Sequence, residues 1–315
     1  MLKKFAIDGK EIAPGTSDQV NLYVSRLPSG TRINIQVNVF RSDVEGPTVL
    51  VLGGVHGDEI NGIQIVQRML YEKAFDDIKM GSVIAIPLLN VFGFIQFSRD
   101  VPDGKDVNRS FPGSTTGSLA SRTAAVLTKK ILPLVDVAID LHTGGASRYN
   151  YPQIRYSKKD ARALELGKVF GAPFLIQKPF ISKSFRKTAN LHGVSVLVYE
   201  AGESTRLDGF SIDLGIAGIK RTLHSLGMIE HAPKANHMTR NFESTGWVRA
   251  SEAGLFVWSK ESGAYVRKGE LLGVIQSPQA DRTKRIIAKK SGYIIGHNNA
   301  SVVHNGDALF HLAYD

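Results

Sequence analysis

The chain has 315 residues, 39 basic against 29 acidic, a formal charge of +10 and no cysteine. An apolar share of 43% with 22% charged residues excludes a disordered, collagen-like or coiled-coil protein. The absence of cysteine excludes disulfides, thiol nucleophiles, iron–sulfur clusters and cysteine-based zinc fingers, so any metal site has to be built from His, Asp and Glu.

Residues 1–10 open with Lys3 and Lys4 but carry no apolar stretch of signal-peptide type. The most apolar run, residues 49–55, is far too short to span a bilayer. A cytoplasmic location without membrane partner is expected. Ile33, Ile35, Val37 and Val39 alternate with polar residues, the period of a half-exposed strand. Residues 20–27 precede it across a Pro28-Ser29-Gly30 turn, which predicts a hairpin at a sheet edge. Short buried-type runs follow at residues 48–52, 82–87, 135–141 and 194–199, separated by helical patterns over 59–75, 118–132, 158–170 and 213–226. Such alternation predicts an α/β fold, a mixed sheet flanked by helices.

From Gly246 onward the helical period disappears and an internal echo takes its place. Gly254-Leu-Phe-Val-Trp258 followed by Val266-Arg-Lys-Gly269 resembles Gly292-Tyr-Ile-Ile followed by Val303-His-Asn-Gly306. Two similar halves predict a small all-β barrel-sandwich domain. The expected division is a catalytic domain over 1–235 and a β domain over 236–315. Residues 241–315 hold 9 basic and 7 acidic groups, so the basic excess lies mainly in the first part. The densest basic cluster, Arg282, Lys284, Arg285, Lys289 and Lys290, has no interleaved aromatics, and no nucleic-acid partner is expected.

Two of the nine histidines stand where chemistry is expected. His56 lies in Gly53-Gly-Val-His-Gly-Asp-Glu59, just past a buried strand and at the start of a helix. Three residues apart on such a turn, His56 and Glu59 point to one side and can share a metal. His142, in Asp140-Leu-His-Thr-Gly-Gly145, ends a second strand on the same carboxyl edge, where open α/β sheets bind ligands. Two His and one Glu leave a fourth position open, the pattern of a catalytic rather than a structural zinc. The competing reading is a tight glycine turn beside a core histidine; a phosphate loop is not supported, because GxxxxGK[ST] is absent. Glu200, in Val198-Tyr-Glu-Ala-Gly202, ends another strand and is a candidate general base, or else a strand-end salt bridge. The segment from Ser98 to Gly113 supplies Arg99, Asp106, Asn108 and Arg109. Arginines there can hold a carboxylate or an oxyanion, and an Asp can orient a ligating His.

Gly-Val-His56-Gly-Asp-Glu59, Asp106-Val-Asn-Arg109-Ser-Phe-Pro-Gly, Asp140-Leu-His142 and Glu200-Ala-Gly together resemble the succinylglutamate desuccinylase/aspartoacylase family, zinc hydrolases of the metallocarboxypeptidase-like group. The resemblance implies one zinc ion per chain on His56, Glu59 and His142. It implies Glu200 as general base and acid, and Arg99 as the group that polarises the scissile carbonyl. Asn108 and Arg109 would hold a substrate carboxylate, and Asp106 would stand behind His56. Two features depart from aspartoacylase. Its substrate-gripping Arg shortly before the catalytic Glu would fall near Asn190; the nearest upstream is Arg186, which the resemblance would put in that substrate-binding place. The tyrosine contributed by its C-terminal domain is absent from Ala300-Ser-Val-Val-His304. The tail resembles biotinyl/lipoyl-type domains, but its turn, Ser277-Pro-Gln-Ala-Asp-Arg-Thr-Lys284, lacks the Met-Lys pair that is modified there.

The expected activity is therefore a zinc-dependent deacylase. It would cleave the amide of a small anionic N-acyl amino acid or related amine through metal-activated water. A metallocarboxypeptidase acting on a peptide or cell-wall peptide would use the same site. A non-catalytic binding module on the same fold is the reading of a different class, and self-association is left open.

Overall fold

The computed structural model of the chain describes residues 4–279 and 281–314. Of the stretches read above for targeting and for a modification turn, residues 1–3 and Ala280 lie outside them. Four parallel strands form the centre in the spatial order Ser82–Ile86, Thr48–Leu52, Val137–Gly144, Ser195–Glu203. The hairpin Ser17–Arg26/Arg32–Arg41 adds two antiparallel strands beside Ser82–Ile86. Arg148–Tyr156 adds an antiparallel strand beside Ser195–Glu203. The sheet is mixed and helix-flanked, as the alternation of patterns predicts.

The central strands read as continuous apolar runs because both of their faces are covered. All five residues of Thr48–Leu52 and of Ser82–Ile86 are buried. Val49, Val51, Val137, Ile139, Leu197 and Tyr199 pack against the helices Ile60–Tyr71, Ala161–Phe170 and Gly209–Ser225. Leu50, Leu52, Ala138, Val196 and Val198 pack on the other side, against the helices Leu119–Val126 and Phe185–Leu191. His142 and Glu200 continue the even-numbered parity, so they stand on the second face. Local chemistry sets the helix ends. Asp160, Asp208, Ser118 and Ser184 each accept a hydrogen bond from a first-turn backbone N–H. Gly171 closes the Ala161–Phe170 helix in the left-handed conformation, φ 68°.

The described residues of the tail form strands and turns without a helix, and the two copies of its sequence echo pair crosswise. Gly254 of the first pairs with Val303 of the second, and Gly292 of the second pairs with Val266 of the first. Gly269 N–H donates to Ala288 O and Gly306 N–H to Ala250 O, both at 2.8 Å. The relation is a local pseudo-twofold around a core that includes Val248, Phe256, Val266, Leu272, Ile294 and Phe310. One face of the tail is not separate from the main sheet. Gly292–Asn298 pairs with the start of Arg148–Tyr156, Gly296 opposite Asn150, so backbone hydrogen bonding runs from one part into the other. Arg240–Phe242 also joins the main sheet, through Phe174–Gln177.

Candidate active site

The turn after Thr48–Leu52 is tight because its glycines lie against other backbone. A Cβ on Gly57 would collide with the backbone of Gly93 and Phe94. The turn sets His56 at the carboxyl edge, and Glu59 immediately precedes the helix Ile60–Tyr71. On the adjacent parallel strand stands His142, and Glu200 is its register partner on the next.

His56 Nδ1 lies 2.8 Å from Glu59 Oε1, and His142 Nδ1 lies 2.8 Å from Glu59 Oε2. The two Nδ1 atoms are 3.2 Å apart. One ligand atom from each residue can be chosen so that all lie within 4.8 Å of one another. Thr143 N–H, 3.0 Å from Glu59 Oε2, fixes the carboxylate from the strand side. The outer ring nitrogens turn toward carboxylates. His56 Nε2 is 3.3 Å from Asp106 Oδ1. His142 Nε2 is 2.9 Å from Asp140 Oδ2, an ion-pair contact without hydrogen-bond geometry.

Burial by itself would strip protons from both imidazoles. At His56, Glu59 and Asp106 outweigh it, and the pKa is raised. At His142, Asp140 and Glu59 do so more strongly, and the pKa stands well above the ordinary value. Burial pushes Glu59 up, yet the two imidazoles hold it well below the usual carboxylate range. Asp106 is half-buried and held far down by His56 and Arg99. Two imidazole nitrogens facing one carboxylate in a buried pocket, each ring backed by a second carboxylate, form a donor set that fits a divalent cation.

Arg99 Nη2 donates to Asp106 Oδ2 at 2.9 Å, and its Nη1 donates to Glu59 Oε1 at 3.1 Å, so the guanidinium spans the edge of the triad. Asp106 also caps the short turn Val107–Arg109 by accepting Asn108 N–H at 2.6 Å. Asn108 Oδ1 accepts Phe185 N–H at 2.9 Å and ties that loop to the start of the Phe185–Leu191 helix. Arg109 is exposed at the rim, its Nη1 donating to Asn108 O at 2.8 Å. Arg186 is buried; its Nη2 donates to Pro179 O at 2.7 Å, while its Nη1 has no partner. Burial and the nearby Arg155 pull its pKa down to about 10.

Glu200 is buried and doubly held. Asn150 Nδ2 donates to its Oε2 at 2.8 Å, and Arg155 Nη1 donates to its Oε1 at 2.8 Å. The salt bridge weighed against a base at this position is therefore present, and it lies inside the pocket rather than away from it.

His56, Glu59, Arg99, Asn108, Arg109, His142, Arg186 and Glu200 all border one cavity of about 670 Å³, with Asp106 behind His56. Asn150, Arg155, Lys178 and Trp247 also border this cavity, none of them expected at the site from the sequence. Six Lys and Arg against four Asp and Glu line it, an environment suited to an anion. No helix among the described residues is long and apolar enough to cross a membrane.

Residues 45–226 match the Succinylglutamate desuccinylase/Aspartoacylase catalytic domain. The chain is 27% identical over 287 residues to N-alpha-acetyl-L-2,4-diaminobutyric acid deacetylase of Halomonas elongata, covering 85% of this chain and 82% of that one. Its structure resembles a succinylglutamate desuccinylase/aspartoacylase from Rhodobacter sphaeroides, with TM-score 0.84, 28% identity and 95% of each chain covered. It also shares its fold with the product-bound ectoine utilization protein EutE of Ruegeria pomeroyi, at TM-score 0.85, 22% identity and 95% of each chain. The chain belongs to the succinylglutamate desuccinylase/aspartoacylase family.

Proposed function

We propose that this chain is a zinc-dependent amidohydrolase of linear amides, a deacylase that releases the acyl group from a small N-acyl amino acid or related N-acyl amine. One observation carries the reading. A buried His56–Glu59–His142 donor set and an in-register Glu200 meet in a single cation-rich cavity. The activity named for the Halomonas elongata relative, deacetylation of an N-acetylated diamino acid, supports it.

His56 Nδ1, His142 Nδ1 and the Glu59 carboxylate would hold one ion. Nitrogen and oxygen donors accept Zn²⁺, and when bound it supplies a Lewis acid that polarises a carbonyl and acidifies water. The remaining roles belong to the chain. Glu200 accepts the proton of the attacking water and returns it to the departing amine. Asn150 and Arg155 hold the two oxygens of that carboxylate, so it cannot swing away between the transfers. Arg99 donates to the oxygen that gains charge as the carbonyl becomes tetrahedral, and Asp106 keeps its guanidinium turned there. Asn108, Arg109 and Arg186 bind the substrate's carboxylate.

Trp247, from the tail, borders the cavity and favours small substrates over the peptide of a carboxypeptidase. Assay of N-acyl amino acids beside peptides tests this: release of free amino acid from the former is expected, and cleavage of peptides alone would overturn it. We also propose that residues 1–235 and 236–315 fold as hydrolase and biotinyl/lipoyl-like β domain. The separate tail core supports that division.

A further inference from the structure

The pocket wall beyond Glu200 holds more positive charge than the chemistry above uses. Arg155 pairs in register with Ile176 on the neighbouring parallel strand Phe174–Gln177. Lys178 lies two residues further along that chain, on the same face. Lys178 Nζ donates to Thr245 Oγ1 of the tail. Two residues on, Trp247 stacks on His311 with ring centroids 4.2 Å apart and planes 10° from parallel. Arg186 hangs from the backbone oxygens of Lys178 and Pro179, and all four side chains border the cavity.

Among these groups the single ion pair is Arg155 with Glu200. Arg186 is only 8% exposed and offers its Nη1 to no partner; Arg155 Nε is also buried and unpartnered. Asp140, Glu200 and Asp160 act on Arg186 only after burial and the repulsion of Arg155, and its pKa is lowered. Lys178 is pulled down by burial and then by Arg155, so the cations repel one another, and Glu200 is the one carboxylate paired within this group of three. Clustering like charges in a half-buried pocket is costly unless an anion joins them.

We propose that Arg155, Lys178 and Arg186, roofed by Trp247, form a carboxylate subsite that selects substrates of the deacylase reaction. The proposal rests on the deacylase reading and deepens it. It adds Arg155, Lys178 and Trp247 to the residues that meet the substrate, and it gives the tail a direct part in selection. Arg155 is then shared between the incoming carboxylate and Glu200. The carboxylate comes from the amino acid or from a dicarboxylic acyl group.

Three probes separate these sources: N-acetylalanine, N-succinylethylamine, and N-acetylethylamine, which has no carboxylate. The wild-type chain is expected to prefer a carboxylate-bearing probe by about 100-fold in kcat/KM, and Lys178→Met to shrink that preference about tenfold, as loss of a charged hydrogen bond would. Lys178→Arg, which keeps the charge, should restore most of it. The probe whose advantage shrinks identifies the source. An equal loss on all three probes, or an unchanged preference, overturns the subsite. If the metal-loaded wild type hydrolyses none of the three, the deacylase reading fails, and the subsite is judged by succinate binding to the full chain. About tenfold weaker binding in Lys178→Met sustains it, and equal binding overturns it.

Discussion

Four buried histidines divide between two regions of this molecule, and they titrate in opposite directions. His56 and His142 at the carboxyl edge of the main sheet are 2% and 5% exposed, and His297 and His311 in the tail 6% and 4%. Burial is the largest influence on all four, and it favours the neutral ring in each. The neighbours decide the outcome. Glu59, Asp106 and Asp140 surround the first pair and raise both. His297 bonds to Ser262 Oγ at 2.7 Å and is lowered, because Asn299 and Glu261 do not offset its burial. His311 is buried near Arg155 and Lys178 and lies well below the ordinary range. Burial therefore does not distinguish a candidate ligand histidine from a packing one; whether carboxylates close by outweigh that burial does. A ring among carboxylates is prepared for a cation, and a ring among cations is kept neutral.

The sharpest way to break this contrast is to remove one histidine from each region. His142→Ala should reduce bound metal from about one ion per chain to nearly none and bring amide hydrolysis to background, since three protein ligands are the fewest a catalytic zinc site commonly keeps. His311→Phe should retain the ion, as metal analysis of the purified chains would show. Metal retained in the first, or lost from a folded second, would dissolve the distinction. Glu200→Gln probes the same edge without touching the donors. It should lower kcat by roughly 10²–10⁴-fold while metal content stays at the wild-type level. Asp140→Asn and Asp106→Asn are milder. Each should weaken metal affinity about 10–100-fold in competition with a chelator, because each removes a charge behind a ligand ring.

These residues were legible in the sequence to different degrees, for physical reasons. His56, Glu59, His142 and Glu200 stand beside strands whose continuous apolar runs announce themselves, and the carboxyl-edge rule brings them together. Arg148–Tyr156 gave no such signal. Its sequence is largely polar and interrupted by Pro152, because only Ile154 and Tyr156 meet the helix layer while the other face borders the cavity and the tail. The strand also carries an irregularity. Glu200 pairs with Gln153 and Gly202 with Asn150, so that Ala201 alone stands opposite both Tyr151 and Pro152. That extra residue turns Asn150 onto the face that Arg155 and Glu200 share, which no period of two reveals. Lys178 and Trp247 were hidden for another reason: they meet only when the tail closes against Phe174–Gln177 and Arg148–Tyr156. The tail's own echo was readable because the same glycine-centred turn recurs. Its crosswise pairing and its continuity with the main sheet are tertiary facts.

The smallest expected effect concerns a histidine of the tail and turns on sign. His311 has a lowered pKa in the folded chain, from burial first and then from Arg155 and Lys178. The unfolded chain takes up its proton near pH 6.5, whereas the folded chain does so only at lower pH. Between those two points the unfolded state binds more protons, so stability falls as pH falls below 6.5, with a slope for this one group approaching about 1.4 kcal/mol per pH unit. His56 has the opposite sign in the metal-free chain. Its raised pKa contributes stability that is complete below pH 6.5 and is lost as pH rises through the folded value. Comparing variants at equal metal content removes that contribution. His311→Phe keeps a ring to stack on Trp247 but has nothing to titrate. In urea unfolding followed from pH 8 to pH 5, the gap between His311→Phe and wild type should be constant above about pH 7.5 and should shift in favour of the variant as the pH drops below 6.5. Parallel curves would mean that His311 is protonated as readily folded as unfolded, and the cationic character assigned to its surroundings would be wrong.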